Sequence, residues 1–169
     1  MTSKKSTKTY ANRGKKLEDL IDKTNITYKK LGIADIRKVP TPIKITSYKF
    51  GKITGFPTIG QWVDYVGVSY NSIIVFDAKQ TTGKSLPLSN IHSHQFELLE
   101  SWYHYGANSF LVVNFTDENK YFYLPFEVLS WAYDRMISGG RKSIALSEFE
   151  EKAIELEVID GILDYLTKA

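Results

Sequence analysis

Two apolar, β-branched runs constrain this chain most: Val63–Val68 and Ser72–Ala78, parted by Ser69-Tyr70-Asn71. Runs of that length, broken by a turn, predict an antiparallel hairpin with buried strands. The second run leads into Val75-Phe76-Asp77-Ala78-Lys79. Alternate residues of a strand share a face, so Val75, Asp77 and Lys79 point one way and Phe76 and Ala78 the other. An acid and a lysine then sit side by side on a strand that is otherwise apolar. Burying them in plain core is costly, and a cleft or a bound cation relieves that cost.

Asp64 lies on the first run. Pairing across the turn brings it towards Asp77, because neighbouring strands lie about 4.8 Å apart. Two carboxylates at that range repel unless a cation lies between them. Oxygen ligands with no His or Cys favour a hard ion, Mg²⁺ or Mn²⁺. Such a site suits phosphodiester hydrolysis. The ion polarises the phosphoryl oxygen and activates a water, and Lys79 orients that water and offsets charge developing on the phosphate. The spacing alone leaves a second reading open, a surface strand with an ordinary Asp–Lys salt bridge.

The charge distribution bears on the partner. Residues 1–60 hold 14 Lys and Arg against 4 Asp and Glu, and the remainder hold 8 against 15. A basic N-terminal third suggests an anionic partner, nucleic acid above all; a solubilising tail plus a charged helix face gives the same counts. There is no cysteine, which excludes disulfides, thiolate zinc sites and cysteine nucleophiles. No stretch approaches the roughly 18 apolar residues of a membrane span, and no apolar run of signal-peptide length follows the first lysines. The expectation is a soluble, cytoplasmic protein with no membrane partner.

Residues 1–11 are expected to form a disordered basic arm, and residues 12–169 one domain. Leu17, Leu20, Ile21 and Tyr28 predict a helix capped by Asn12 and stopped by Gly32. Ala34–Val39 reads as a short strand interrupted by Pro40 and Pro42. Residues 44–60 read as a basic hairpin or protruding arm, and Gln80–Pro87 as a polar loop. Ser89 or Asn90 is the expected cap of a helix reaching about Tyr105. Phe110–Phe115 and Tyr121–Leu124 form a second strand pair, and Pro125 opens a helix over Phe126–Met136. Ser138–Ser143 reads as a flexible basic loop. Ser147 with Glu150 has the capping-box spacing, and Val158–Leu166 reads as a last helix. The fold class is α/β, a central mixed sheet flanked by helices.

Asp64 with Asp77-Ala78-Lys79 resembles the motif of the PD-(D/E)xK nuclease superfamily. Longer matches narrow the resemblance to the RecU-type Holliday junction resolvases. Tyr10-Ala11-Asn12-Arg13-Gly14, Leu17-Glu18 and Thr24-Asn25 are similar to that family's opening helix, and Lys38-Val39-Pro40-Thr41-Pro42 to its first strand. Asp64-Tyr65-Val66-Gly67 and Phe76-Asp77-Ala78-Lys79 are similar to its catalytic core. Pro87-Leu88, His92 and His94-Gln95 follow, then Gly139-Gly140-Arg141-Lys142-Ser143-Ile144 as its late basic loop. The matches run in order from Tyr10 to about Tyr165. The chain departs from the family at Asp77, where Glu is common, at Trp62 and Val63, where small hydroxyl residues stand, and in a divergent stalk.

The resemblance implies a restriction-endonuclease-like core with a protruding stalk at residues 44–60. It implies a homodimer that binds four-way junction DNA and cuts two strands symmetrically with Mg²⁺ or Mn²⁺, in recombination and repair. A recombinase is a further partner in this reading, and the setting is the nucleoid of a bacterium or its phage. Two alternatives stay open: a junction-binding modulator with little or no cleavage, and a nuclease of the superfamily acting on another DNA structure.

Other residues carry two readings each. Glu18 is either a further carboxylate of the site or a surface acid near a helix N-terminus. Gln95 either reaches the site from the helix after the catalytic strands, as the resemblance implies, or is a surface amide. Arg13, Lys15, Lys16, Lys44, Lys49, Lys52, Arg141 and Lys142 are the candidate phosphate contacts. His92, His94 and His104 lack metal-ligand spacing, and Trp102, Tyr103, Trp131 and Tyr133 read as core or dimer interface.

Overall fold

The predicted pair of apolar strands lies inside a six-stranded sheet, with the Asp77 strand near its middle. In this computed structural model residues 14–58, 62–70 and 72–166 are described. The expected arm at 1–11, the Asn12 cap, Arg13 and Asn71 therefore lie outside the described residues. In chain order the elements are α1 (Lys15–Leu31), β1 (Asp35–Lys38), β2 (Ile43–Lys49), β3 (Lys52–Pro57), β4 (Tyr65–Ser69), β5 (Ser72–Thr81) and β6 (Ser85–Pro87). They continue with α2 (Ser93–His104), β7 (Asn108–Phe115), β8 (Lys120–Pro125), α3 (Phe126–Ile137), β9 (Ser143–Ala145) and α4 (Leu146–Lys152). β10 (Ile154–Leu156), β11 (Val158–Ile159) and β12 (Ile162–Leu163) complete them.

The main sheet runs β1-β4-β5-β7-β8-β10. β5 pairs antiparallel with β4 and parallel with β7, so the sheet is mixed, as expected. The crossover from β5 to β7 uses α2, the usual link between parallel neighbours. Both faces of β5 are covered. Phe76 stacks between Tyr65 and Phe110, at 4.8 and 4.7 Å between ring centroids, under Leu17 and Ile21 of α1. Val75 packs on the other face with Leu99, Leu129 and Phe149 from α2, α3 and α4. A strand buried on both sides reads as a continuous apolar run, and any polar side chain on it stands out.

β2 and β3 form a separate hairpin with every residue exposed or half-exposed. The pairing shifts by one between Ile45 and Ser47, which leaves Thr46 as a bulge. That extra residue decides the faces. Tyr48 pairs with Ile53, and both join Ile43, Ile45 and Pro57 on one side. Lys44, Lys49, Lys52 and Phe56 share the other. Strict alternation from Ile45 would have put Tyr48 among the lysines. Phe50 and Gly51 turn the tip, both with positive φ.

Several local expectations are corrected. α1 begins at Lys15 with Gly14 at its N-cap. The second long helix starts at Ser93 and is capped by His92, because Leu88–Asn90 forms a short 3-10 turn instead. The fourth helix is capped at Ala145, whose N–H donates to Glu148 rather than to a box of Ser147 with Glu150. The 80–87 segment is not all loop: β5 runs to Thr81, and Ser85–Pro87 pairs with Ser143–Ala145. Val158–Leu166 is not a helix. Asp160 and Gly161 both have positive φ and close the β11–β12 hairpin, which the Asp-Gly pair favours. Its end latches onto α1: Leu163 N–H donates to Thr24 Oγ1 at 3.0 Å, and Tyr165 N–H to the Tyr28 hydroxyl at 2.8 Å.

Candidate active site

Tyr65 pairs with Phe76, so Asp64, one step before β4, stands opposite Asp77. Val39 N–H donates to Asp64 C=O at 2.8 Å, which extends the β1–β4 ladder and fixes that backbone. Asp64 Oδ2 accepts from the backbone N–H of Ala78 at 3.0 Å. On the same face of β5, Lys79 Nζ lies 2.6 Å from Asp77 Oδ2. Gln95, in the first turn of α2, closes the cluster. Its Nε2 donates to Asp77 Oδ1 at 2.7 Å, and its Oε1 accepts from Lys79 Nζ at 2.9 Å and from His92 N–H at 3.1 Å. One amide thus orients the acid, the lysine and the cap of its own helix.

Burial grades across the cluster. The Asp77 side chain is fully buried and that of Lys79 is 13% exposed. Asp64 and Gln95 line an open cleft of about 460 Å³. Access to the pair is therefore from the Asp64 side. Burial raises the Asp77 pKa, the Lys79 charge opposes that rise, and the Asp64 charge adds to it, leaving it pushed up to about 7. Asp77 Oδ2 is met by Lys79 Nζ at 2.6 Å, and among the described residues no other donor reaches it.

Two carboxylates that face each other, with a single ammonium between them and solvent, leave a negative charge that a cation would offset. Among the described residues no three His, Cys, Asp or Glu side chains converge as a ready metal cage. Among the described residues Asp64 and Asp77 offer two carboxylate groups. That fits a hard divalent ion that keeps several waters and takes others from its substrate.

The other predicted residues fall into groups. Glu18 does not join the carboxylate pair. It accepts from Lys38 Nζ at 2.6 Å. Lys38 was missed by sequence reasoning. Partial burial works against its charge, but the Glu18 hydrogen bond and the fields of Glu18, Asp22 and Asp64 outweigh it, and its pKa is raised. Lys38 thus links Glu18 to the edge of the site, a placement that required knowing how α1 crosses β1. Lys15 and Lys16 are exposed in the first turn of α1. Arg141 and Lys142 are exposed just before β9, with Arg141 donating to Ser143 Oγ. Lys44, Lys49 and Lys52 share one face of the hairpin, which is a sheet of its own.

The model of the RecU family, Recombination protein U, matches residues 12–169. The chain belongs to the RecU family. Among its relatives, the Holliday junction resolvase RecU of Pediococcus pentosaceus is 36% identical over 165 residues, 93% of this chain and 82% of that protein. The Geobacillus RecU is 35% identical over 148 residues, 83% of this chain and 74% of that protein. That of Staphylococcus epidermidis is 33% identical over 154 residues, 87% and 74% respectively. A solved structure of Hjc, a Holliday junction resolvase from Archaeoglobus fulgidus, overlaps 82% of this chain and 94% of its own with a TM-score of 0.49 at 12% identity, too distant a likeness to carry an argument. This RecU chain keeps its acid pair, lysine and glutamine within one corner of the sheet.

Proposed function

We propose that this RecU chain is a divalent-metal-dependent endonuclease that resolves four-way DNA junctions by paired nicks. The observation that carries the reading is the convergence of Asp64, Asp77, Lys79 and Gln95 beside an open cleft. The two carboxylates would hold Mg²⁺ or Mn²⁺, which supplies polarisation of the scissile phosphoryl oxygen and an attacking water of lowered pKa. The chain's own residues do the rest. Ala78 N–H fixes the Asp64 carboxylate, and Gln95 fixes Asp77. Lys79, held by Gln95, presents an ammonium to charge that grows on the phosphate in the transition state. The buried sheet around Asp77 keeps bulk water from screening these charges.

Two strands must be cut at a junction, which suits a two-fold homodimer with one site per protomer. The unpartnered apolar side of the hairpin, Ile43, Ile45, Tyr48 and Ile53, supports self-association in this reading. The lysine side of the same hairpin serves as the stalk that meets junction phosphates, with Lys15, Lys16, Arg141 and Lys142 as further contacts. Cytoplasmic work beside the nucleoid, with a recombinase as a further partner, goes with the same reading.

The test is cleavage of labelled four-way junction, duplex and flap DNA with Mg²⁺, with and without EDTA. Symmetric nicks in the junction alone, abolished by EDTA, are expected. Cutting of flap or duplex would redirect the reading to another DNA structure, and binding without nicks would leave a junction-binding modulator.

A further inference from the structure

The cleft beside Asp64 is larger than the acid pair requires. Its volume of about 460 Å³ lies within the range of sites that take a whole small ligand, roughly 300–1,000 Å³. Among the described residues no lysine or arginine lines it. Beyond Asp64 and Gln95 its walls come from the proline-marked exit of β1, from Trp62, and from His92 and His94 at the start of α2. A phosphodiester backbone seeks ammonium and guanidinium groups. Prolines, an indole and imidazoles instead suit a flat ligand with apolar faces, and a nucleobase is such a group.

Trp62 is the aromatic residue of that wall with the largest face open to solvent, and it belongs to neither core cluster. Val63 beside it is turned inward and 2% exposed, whereas Trp62 is turned outward and 50% exposed. Its ring is nevertheless held. Trp102 of α2, half-buried against the core, meets it at 6.0 Å between centroids and 81° between planes. An indole that is braced on one side and wet on the other presents a rigid, pre-ordered surface for stacking. Trp62 and Asp64 are two residues apart, so their Cα atoms are at most about 7 Å apart. Asp64 and Trp62 line one cleft, so a phosphodiester drawn to an ion at the acid pair would have its flanking base within reach of the indole.

We propose that Trp62 is a specificity-determining residue whose indole stacks on the nucleobase flanking the scissile phosphate, once that base has left its own stack. The inference rests on the nuclease reading above. It assigns Trp62 a contact with substrate that neither the acid pair nor the lysine hairpin supplies. Base preference at the cut then reflects how well each base leaves its neighbours and stacks in the cleft.

Two readouts test it. Junctions carrying the fluorescent base 2-aminopurine at successive positions around the cut are mixed with Asp77→Asn protein and Mg²⁺, which leaves them uncut. One flanking position is expected to change in fluorescence, and adding Trp62→Leu abolishes the change while Trp62→Phe keeps it. With Asp77 intact, Trp62→Leu is expected to slow cleavage by about tenfold, the size of one base–aromatic stack. It also flattens preference on junctions randomised at the flanking bases, with junction affinity within about twofold of the parent; Trp62→Phe keeps most of the rate. Trp62→Phe covers the case in which Leu unseats Trp102. Unchanged rate and preference in Trp62→Leu, or no position whose signal depends on Trp62, overturns the inference and leaves the nuclease standing. A parent protein that cuts no junction sinks the nuclease reading instead, and the fluorescence still decides whether Trp62 touches a base.

Discussion

Lys79 on β5 and the three lysines of the β2–β3 hairpin handle the same charge in opposite ways. Lys79 is 13% exposed, within 2.6 Å of Asp77 and fixed by Gln95. Lys44, Lys49 and Lys52 are exposed on a two-stranded ribbon outside the main sheet. A buried charge is strong because nothing screens it, and it is tolerable only when every neighbour is placed to balance it. An exposed charge needs no such support, but each one contributes little and salt weakens it. In the proposed reading the corner acts through geometry and the hairpin through additive attraction, so damage to the corner should appear in the rate and damage to the hairpin in the binding.

The widest separation of the two regions is expected from Asp77→Asn. Loss of the carboxylate, the proposed ligand, should lower the cleavage rate by about 10³-fold or more, with junction affinity nearly unchanged, as single-turnover kinetics and gel shift would measure. Cutting that survives this substitution would take Asp77 out of the chemistry.

The same carboxyl should set a pH dependence that the hairpin lacks. Its pKa in the folded, metal-free protein is raised from an ordinary 3.8 to about 7, so the folded state holds that proton more tightly than the unfolded chain does. The stability it contributes is fully present below pH 3.8 and is lost as pH rises through about 7. Denaturant melts in EDTA should show a fall on the order of a few kcal/mol across that window, and Asp77→Asn should remove it. A flat profile in the parent would mean that Asp77 is not buried as an acid.

Replacing Lys44, Lys49 and Lys52 together with Ala is expected to weaken junction binding by roughly tenfold and to lower the slope of log K against log salt by up to about 3. The rate at saturating protein should hold. A slope that does not move would leave the hairpin without a role in phosphate contact.

The smallest effect concerns the hairpin's faces. Replacing Tyr48 and Ile53 with Ser removes a cross-strand pair from the apolar side and leaves the lysine side intact. Core stability should change by less than about 0.5 kcal/mol, as for an exposed surface site, because the ribbon is not packed into either core cluster. Self-association measured by light scattering should weaken. A large loss of melting temperature would show that the hairpin supports the core.

Much of the corner was legible before the fold. Val75-Phe76-Asp77-Ala78-Lys79 alternates, and its turn is short, so the opposition of Asp64 and Asp77 follows from a period of two. Gln95 entered through the family resemblance, since a lone amide at the start of a helix carries no signal of its own. Lys38 was illegible because its partner Glu18 lies 20 residues away on α1. The final segment misled: Val158, Ile159, Ile162, Leu163 and Leu166 fit helical spacing as well as a hairpin. The Asp160-Gly161 turn was the stronger local cue, and the bonds to Thr24 and Tyr28 supplied its anchor.

What the sequence determined by itself was the central strand pair, the facing acids, the lysine beside them and a basic hairpin, all consequences of residue order within a few positions. Only the tertiary structure decided how deep Asp77 is buried, that Gln95 ties acid to lysine, that Glu18 belongs to Lys38, and that Trp62 stands braced at the cleft. The reason is physical. Strand alternation is a property of the backbone, whereas burial, field strength and side-chain partners depend on which helix crosses which strand, and no local pattern records that crossing.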